Sequence, residues 1–344
     1  MNLFILFAGL TFCLSLLAVN LIRQNLRKQF IDIPNDRSSH TIPIPRGGGM
    51  GFIIAFSIAI VIGHLCFPEF VSQSATFILL ALLPLIGIGI LDDWRSMPSL
   101  VRYLVQLSVS GLVVAHYGTF PFPGLTSLGT PGEWIAIALT VIGLTALINF
   151  YNFMDGLDGL VAGVTLVQLS FLSFWFNQPF LLLLIAALLG FLYWNWSPAK
   201  IFMGDAGSTM LGATIGITLL QGHSTSQCWS SLVILLPLVG DAIYTIICRL
   251  RRRENIFQAH RSHLYQRLHQ AGWHHRQVAT IYILGTAVIG LVITLDPVMG
   301  PLMIPVLILI AVRKMENYIH YANRYRTQKI LDQATQPSSL SQVN

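Results

Sequence analysis

Eleven apolar runs, each near the length that crosses a bilayer, decide what this chain can fold into. A helix needs about 20 residues to span roughly 30 Å of hydrocarbon. Such runs lie near 2–22, 48–67, 75–91, 101–118, 133–149, 159–176, 178–194, 207–221, 229–249, 277–295 and 299–313. Several are short, and 178–194 follows its neighbour after a tight turn, so ten or twelve spans also fit the pattern. Pro237 falls inside the ninth run and predicts a kink there. Only 10% of the residues are charged, against about 25% in a soluble domain, too few to clothe so much apolar surface. The expected fold class is all-α, a polytopic transmembrane helix bundle.

Charge supplies an independent check. With the N-terminus outside and eleven alternating spans, the cytoplasmic segments are 23–47, 92–100, 150–158, 195–206, 250–276 and 314–344. All 20 Lys and Arg residues fall in these segments or at the cytoplasmic end of a span. The outer loops hold no Lys or Arg, and carry Glu69, Glu133 and Asp296 at or near their edges. This is the positive-inside distribution. The formal charge of +6 therefore reads as topology and attraction to anionic lipid, not as nucleic-acid binding. The first run has no basic segment before it, and Arg23, Arg27 and Lys28 follow it, the layout of a retained helix rather than a cleaved signal. Cys13, Cys66, Cys228 and Cys248 form no C-x-x-C pair, which weakens disulfide and zinc readings. Residues 1–313 are read as one transmembrane domain. Residues 314–344 are read as a polar cytoplasmic tail, a short interfacial helix with a disordered end.

Five of the 14 acidic residues gather in three short motifs on the predicted cytoplasmic side. Acids at the rim of an apolar bundle are costly unless compensated. Helix capping is the plain reading; a shared metal and phosphate site is the sharper one. Asp92 and Asp93 end the third span, and adjacent helical residues diverge by about 100°. Both reach one cavity only if the helix ends there; otherwise they do different jobs. Asn149, Asn152, Asp155 and Asp158 recur every three residues, a drift of about 180° over the stretch on one straight helix. Gly156 and Gly159 offer a break that re-aims them. From Asn195 to Ser208, Lys200 is a candidate for compensating a phosphate, Phe202 for stacking on a base, and Asp205 for ligating Mg²⁺ through hard oxygen. Gly204 and Gly207 would let backbone approach a ligand, and free N–H groups near Ser208 would favour an anion.

The segment from Arg251 to Arg267 is basic. Arg251, Arg252 and Arg253 read as a topology anchor, whereas His260, Arg261 and His263 are candidates for gripping phosphate. Zinc is a competitor without a nearby cysteine or an H-E-x-x-H pattern. His40 reads as a structural residue or a substrate contact, and His274 and His275 as solvent-facing. Asp241 lies about 12 Å deeper along its helix than Arg249, and reads equally as functional or as paired with a neighbouring helix.

These motifs resemble the polyprenyl-phosphate N-acetylhexosamine-1-phosphate transferases, the superfamily that includes phospho-N-acetylmuramoyl-pentapeptide transferase. The likeness rests on Leu91–Arg95 (LDDWR), Asn149–Leu160 (NFYNFMDGLDGL), Pro198–Ser208 (PAKIFMGDAGS) and His260–Leu268 (HRSHLYQRL), with the first-loop run Asp36–Gly49 beside them. It covers about residues 30 to 270.

The resemblance implies transfer of a sugar-1-phosphate from a UDP-sugar to undecaprenyl phosphate with release of UMP. Asp205 would ligate Mg²⁺, for which Mn²⁺ can substitute, with Asp92 as a second candidate ligand. Asp92 would act near the lipid-phosphate nucleophile, supported by Asp93. Asn149, Asn152, Asp155, Asp158 and Lys200 would belong to the substrate site, with Asn152 and Asp155 meeting the nucleotide and Phe202 stacking on uracil. His260, Arg261 and His263 would meet the diphosphate or sugar, and Arg46 would help close the site. The expected partners are undecaprenyl phosphate, a UDP-N-acetylhexosamine or modified UDP-sugar, membrane lipids and, as a candidate assembly, a homodimer. The expected location is the bacterial inner membrane, with the site on the cytoplasmic face. The peptidoglycan branch has a run of three histidines where this chain reads His260, Arg261, Ser262, His263, and tends to carry Lys where it has Arg46. The chain is therefore more similar to the surface-polysaccharide and O-antigen branch, with the pentapeptide transferase as the alternative. A membrane transporter is the rival of another class, disfavoured because the acids gather on one face and no repeated half is visible.

Overall fold

The computed structural model describes residues 2–26, 31–32, 42–256, 258 and 260–335. His40, residues 36–41 of the first-loop run and the tail beyond 335 lie outside them. The fold is an all-α, polytopic membrane bundle. In order it comprises α1 (Asn2–Leu26), β1 (Ile31–Asp32), β2 (Ile44–Pro45), α2 (Gly49–Cys66), α3 (Gln73–Trp94), α4 (Ser99–Tyr117), α5 (Thr130–Met154), α6 (Leu160–Trp175), α7 (Leu181–Asn195) and α8 (Asp205–Leu219). Then come α9 (Thr225–Leu232), α10 (Asp241–Arg251), α11 (Leu264–Gln270), α12 (His275–Leu295) and α13 (Met299–Thr335). The two strands form a short antiparallel ladder, Ile31 opposite Pro45.

The sequence predicts eleven spans. Among the described residues, seven helical segments are long and apolar enough to cross a membrane: α1 to α5, the continuous stretch Thr225–Arg251, and α12. The other four predicted spans fall on α6, α7, α8 and α13. The first three have 16, 15 and 15 residues, only about 22–24 Å of helix. Burial explains how α8 can be short. Every residue of α8 from Ala206 to Leu219 is buried, so protein surrounds it and lipid thickness does not set its length. Its Ser and Thr hydroxyls donate to carbonyls one turn back, as Thr214 does to Met210 and Thr218 to Thr214, both at 2.8 Å. Its glycines let α2 and α5 approach closely, Gly207 against Gly49 and Gly212 against Ile148, as small residues do in membrane bundles.

Around Pro237 the helix becomes a 3₁₀ turn at Val233–Leu235 and a π turn at Leu236–Gly240 before α10 begins. Proline lacks the N–H that a regular turn needs, so this is where the ladder changes pitch. The part of the expected tail that is described, up to Thr335, is helical and continuous with α13.

Candidate active site

The site is built where the end of α3 meets the start of α8. Gly89 makes that approach: a Cβ there would stand 2.4 Å from the Ala206 Cα. One turn further along α3, Asp92 and Asp93 arrive beside Asp205. They take different jobs, as their angular divergence requires. The Asp93 side chain is only 1% exposed. It accepts the backbone N–H groups of Asp205 at 3.0 Å and Ala206 at 3.5 Å. Gly204, at φ +82°, lets it in: a Cβ there would meet an Asp93 oxygen at 2.5 Å. The N–H groups expected to await a ligand anion at this helix start are thus occupied by a carboxylate of the chain. Asp93 thereby ties the end of α3 to the start of α8.

Asp92 turns the other way. Its Oδ1 accepts the Met97 N–H at 2.6 Å, and its Oδ2 accepts Arg102 Nη1 at 2.7 Å. The same nitrogen stands 3.5 Å from Asp205 Oδ2. Arg46 makes a second bridge, Nε to Asp93 Oδ1 at 3.1 Å and Nη2 to Asp205 Oδ1 at 2.9 Å. Three acids and two arginines therefore form one cluster from chain positions far apart.

The third motif breaks as its glycines predict. The last turn of α5 ends at Met154, Asp155 caps it, and Gly159 takes φ +72° before α6 starts. Asn152 reaches the cluster, donating to Asp205 Oδ2 at 3.4 Å and accepting the Ser208 hydroxyl at 3.2 Å. Burial, with Asp205 close by, pushes the Asp155 carboxyl up to about 7. The other two polar residues of the run point elsewhere. Asn149 exchanges hydrogen bonds with Gln106 of α4, at 2.7 Å and 3.5 Å. Asp158 faces His275, Nδ1 to Oδ2 at 3.1 Å, and accepts the Ala199 N–H at 3.1 Å. Burial opposes the charge on Asp158, but His275 and these hydrogen bonds hold its carboxyl below the ordinary range. His275 is thus not the solvent-facing residue the sequence suggests; its side chain is 12% exposed, while His274 does face outward.

Lys200 is exposed and lies over the Trp194 and Tyr193 rings, at 5.2 Å and 5.9 Å, with no carboxylate partner among the described residues. The backbone of Phe202 pairs with Pro45 and Gly48, tying the first loop to the α7–α8 connection and delivering Arg46 to the cluster.

The fourth motif approaches through Tyr265. This fully buried ring donates its hydroxyl to the Phe153 carbonyl at 3.2 Å, beside the Asp155 turn. His263 stacks on it at 5.6 Å between centroids and stands 4.9 Å from the His260 ring. Nδ1 of His260 pairs with the Ser262 hydroxyl at 2.9 Å. Burial, together with neighbouring His263 and Arg249, pushes His260 down to about 4. Asp241 receives the Leu264 and Tyr265 N–H groups at 2.8 Å and 3.0 Å and the Tyr282 hydroxyl at 2.7 Å. That resolves its two readings in favour of an interhelix anchor. Arg102 and Tyr265 are the residues that sequence reasoning missed as participants.

Among the described residues, no set of three or more His, Cys, Asp or Glu side chains is arranged to hold a metal ion. The donor chemistry nonetheless fits Mg²⁺, which usually takes one or two carboxylates and completes its shell with water and substrate phosphate. Asp92 and Asp205 share the Arg102 guanidinium, Nη1 at 2.7 Å and 3.5 Å, so the two carboxylates already face one cation.

A profile of the family described as "Glycosyl transferase family 4" matches residues 75–223, the stretch holding Asp92, Asp155 and Asp205. The chain is 34% identical over 294 residues to a Bacillus subtilis protein named "Probable undecaprenyl-phosphate N-acetylglucosaminyl 1-phosphate transferase", covering 80% of this chain and 81% of that one. It is 30% identical to the undecaprenyl-phosphate alpha-N-acetylglucosaminyl 1-phosphate transferase of Escherichia coli K12, over 76% of this chain and 74% of the relative. It is 26% identical to the decaprenyl-phosphate N-acetylglucosaminephosphotransferase of Mycobacterium leprae, over 77% and 76%. The chain belongs to the polyprenyl-phosphate N-acetylhexosamine-1-phosphate transferase family, and is a multi-pass membrane enzyme of the phosphotransferase kind.

Proposed function

We propose that this enzyme transfers an N-acetylhexosamine-1-phosphate from a UDP-sugar to undecaprenyl phosphate, releasing UMP, at the cytoplasmic face of the bacterial inner membrane. The reaction is read as the first membrane step of surface-polysaccharide synthesis. One observation carries the reading: acids and arginines from α3, α4, α8 and the first loop meet at one end of an apolar bundle, beside Asn152 and the Asp155 turn. Such a rim serves a soluble sugar nucleotide and a membrane-bound acceptor together. The distribution of Lys and Arg along the sequence supports eleven alternating spans with the N-terminus outside and the C-terminus inside.

In the proposed reaction a lipid-phosphate oxygen attacks the phosphorus that bears the sugar. The bond from that phosphorus to the oxygen bridging it to the uridine-side phosphate breaks, and UMP leaves. Arg46 and Arg102 are the more exposed members of the cluster, their side chains 39% and 35% exposed. The crevice between Asp92, Arg102, Asn152, Asp205 and Thr209 holds only about 10 Å³, no more than one water. The arginines therefore swing outward to admit substrate, exchanging carboxylate partners for phosphate. With both oxygens already accepting hydrogen bonds, Asp92 is better placed to orient Arg102 and the nucleophile than to take a proton. Asp205, with Asp92, would hold Mg²⁺, which when bound neutralises charge on the diphosphate. His260, Arg261 and His263 grip the donor. An apolar cleft of about 260 Å³ between α5, α8 and the α9–α10 stretch, lined by Phe150, Leu147, Gly216 and Trp229 among others, extends along α5 and suits a prenyl chain.

The test offers purified enzyme a set of UDP-sugars with undecaprenyl phosphate and Mg²⁺, and weighs the lipid product. A lipid-diphosphate sugar with stoichiometric UMP supports the reading; no UMP with any donor would sink it. Exchange of labelled UMP into UDP-sugar with acceptor strictly absent would replace direct attack by a covalent enzyme intermediate.

A further inference from the structure

Helix α13 has 37 residues, about 55 Å, where about 20 residues suffice for a bilayer core. Glu316 stands roughly 26 Å along it from Met299, outside the acid and arginine cluster. Its side chain is 14% exposed. Both terminal nitrogens of Arg267 close on it, Nη2 to Oε2 at 2.6 Å and Nη1 on Oε1, and the Tyr244 hydroxyl donates to Oε1 at 2.9 Å. A forked arginine–carboxylate pair fixes orientation as well as distance. Beside it, Trp273 meets Tyr318 edge-on at 5.6 Å.

Arg267 belongs to α11, and α11 also carries Tyr265. Through Tyr265 it touches the Asp155 turn so closely that a Cβ on Gly156 would stand 2.3 Å from the Tyr265 hydroxyl. Asp241 holds the first N–H groups of α11. This seven-residue helix is thus clamped from α10 at its start and from α13 farther along. His260, Arg261 and His263 immediately precede it.

We propose that Glu316 is a positioning residue. Acting through Arg267, it holds α11 so that the His260–His263 segment faces the donor diphosphate. The inference rests on the reading above that this segment grips the donor.

The experiment measures UMP release by the full-length enzyme in nanodiscs, with UDP-N-acetylglucosamine and undecaprenyl phosphate varied separately. Glu316→Gln and Arg267→Lys, which keep size or charge but lose the fork, should each raise the donor KM about tenfold and leave the acceptor KM within about twofold. Glu316→Gln combined with Arg267→Lys should be no worse than either alone. Reversing the pair, Glu316→Arg with Arg267→Glu, should recover part of the donor affinity. Equal losses on both substrates, or a fall in kcat alone, would reduce Glu316 to a stability brace and overturn the inference. His260→Ala separates the two claims. If it raises donor KM while Glu316→Gln does not, only the positioning role fails. If it leaves donor KM unchanged, the reading of the segment fails.

Discussion

The carboxylate of Asp93 accepts the backbone N–H of Asp205 at 3.0 Å, joining the end of α3 to the first residue of α8. This places a buried negative charge on the positive end of a helix. Asp93→Ala should leave the α8 N–H groups without an acceptor and Arg46 with Asp205 as its remaining partner, at a cost of about 2 kcal/mol. Thermal unfolding in detergent should show a clearly lowered midpoint. A midpoint equal to that of the parent protein would mean the contact does not hold α8.

Asp205→Asn should insert and unfold like the parent protein while losing activity. Losing a carboxylate that faces the diphosphate removes several kcal/mol of charge stabilisation, on the order of a hundredfold or more in kcat. Near-normal turnover by Asp205→Asn at saturating Mg²⁺ would remove Asp205 from the site.

Arg102→Lys keeps the charge but cannot span Asp92 and Asp205 as the guanidinium does. We expect kcat/KM to fall at least about tenfold, with a smaller loss than for Arg102→Met. If Arg102→Lys and Arg102→Met behave as the parent does, the arginine serves only as a topological charge.

His260 titrates near 4 in the folded protein, against an ordinary 6.5. A folded value below the unfolded one means that the unfolded chain binds more protons between them. The contribution of this imidazole is therefore complete above about 6.5 and lost as pH falls toward 4. Unfolding midpoints measured across that window should fall less steeply for His260→Asn than for the parent. Identical slopes would contradict the burial of this ring.

Orientation can be read by thiol labelling after the four native cysteines are replaced. Exposed Ser127→Cys and Arg95→Cys lie at opposite ends of α4. An impermeant maleimide should reach the first in intact spheroplasts and the second only after permeabilisation. The reverse pattern would turn the proposed site to the wrong face.

The acids were legible in the sequence because a carboxylate amid apolar residues has few bland explanations. The break at Gly156 and Gly159 was legible from helical angle alone. The division of labour between Asp92 and Asp93 was legible only as an alternative, since it depends on where α8 docks. Arg102 stayed hidden because it sits at the end of a span, where a basic residue already has a sufficient reason. His275 stayed hidden because its partner, Asp158, lies on a turn that packs beside it only in three dimensions. Span count was the weakest point: apolar content does not distinguish a helix bathed in lipid from one, such as α8, sheathed by its neighbours.

The contact of Gly89 with Ala206 has a consequence for how this enzyme tolerates change. A methyl group at position 89 would act as a wedge one turn below the charges, driven against the Ala206 backbone, whose N–H Asp93 accepts, and prising two helices apart. The spacing of the ionic groups is thus written in the oily interior, and a variant apparently remote from the chemistry would report itself as a failed active site.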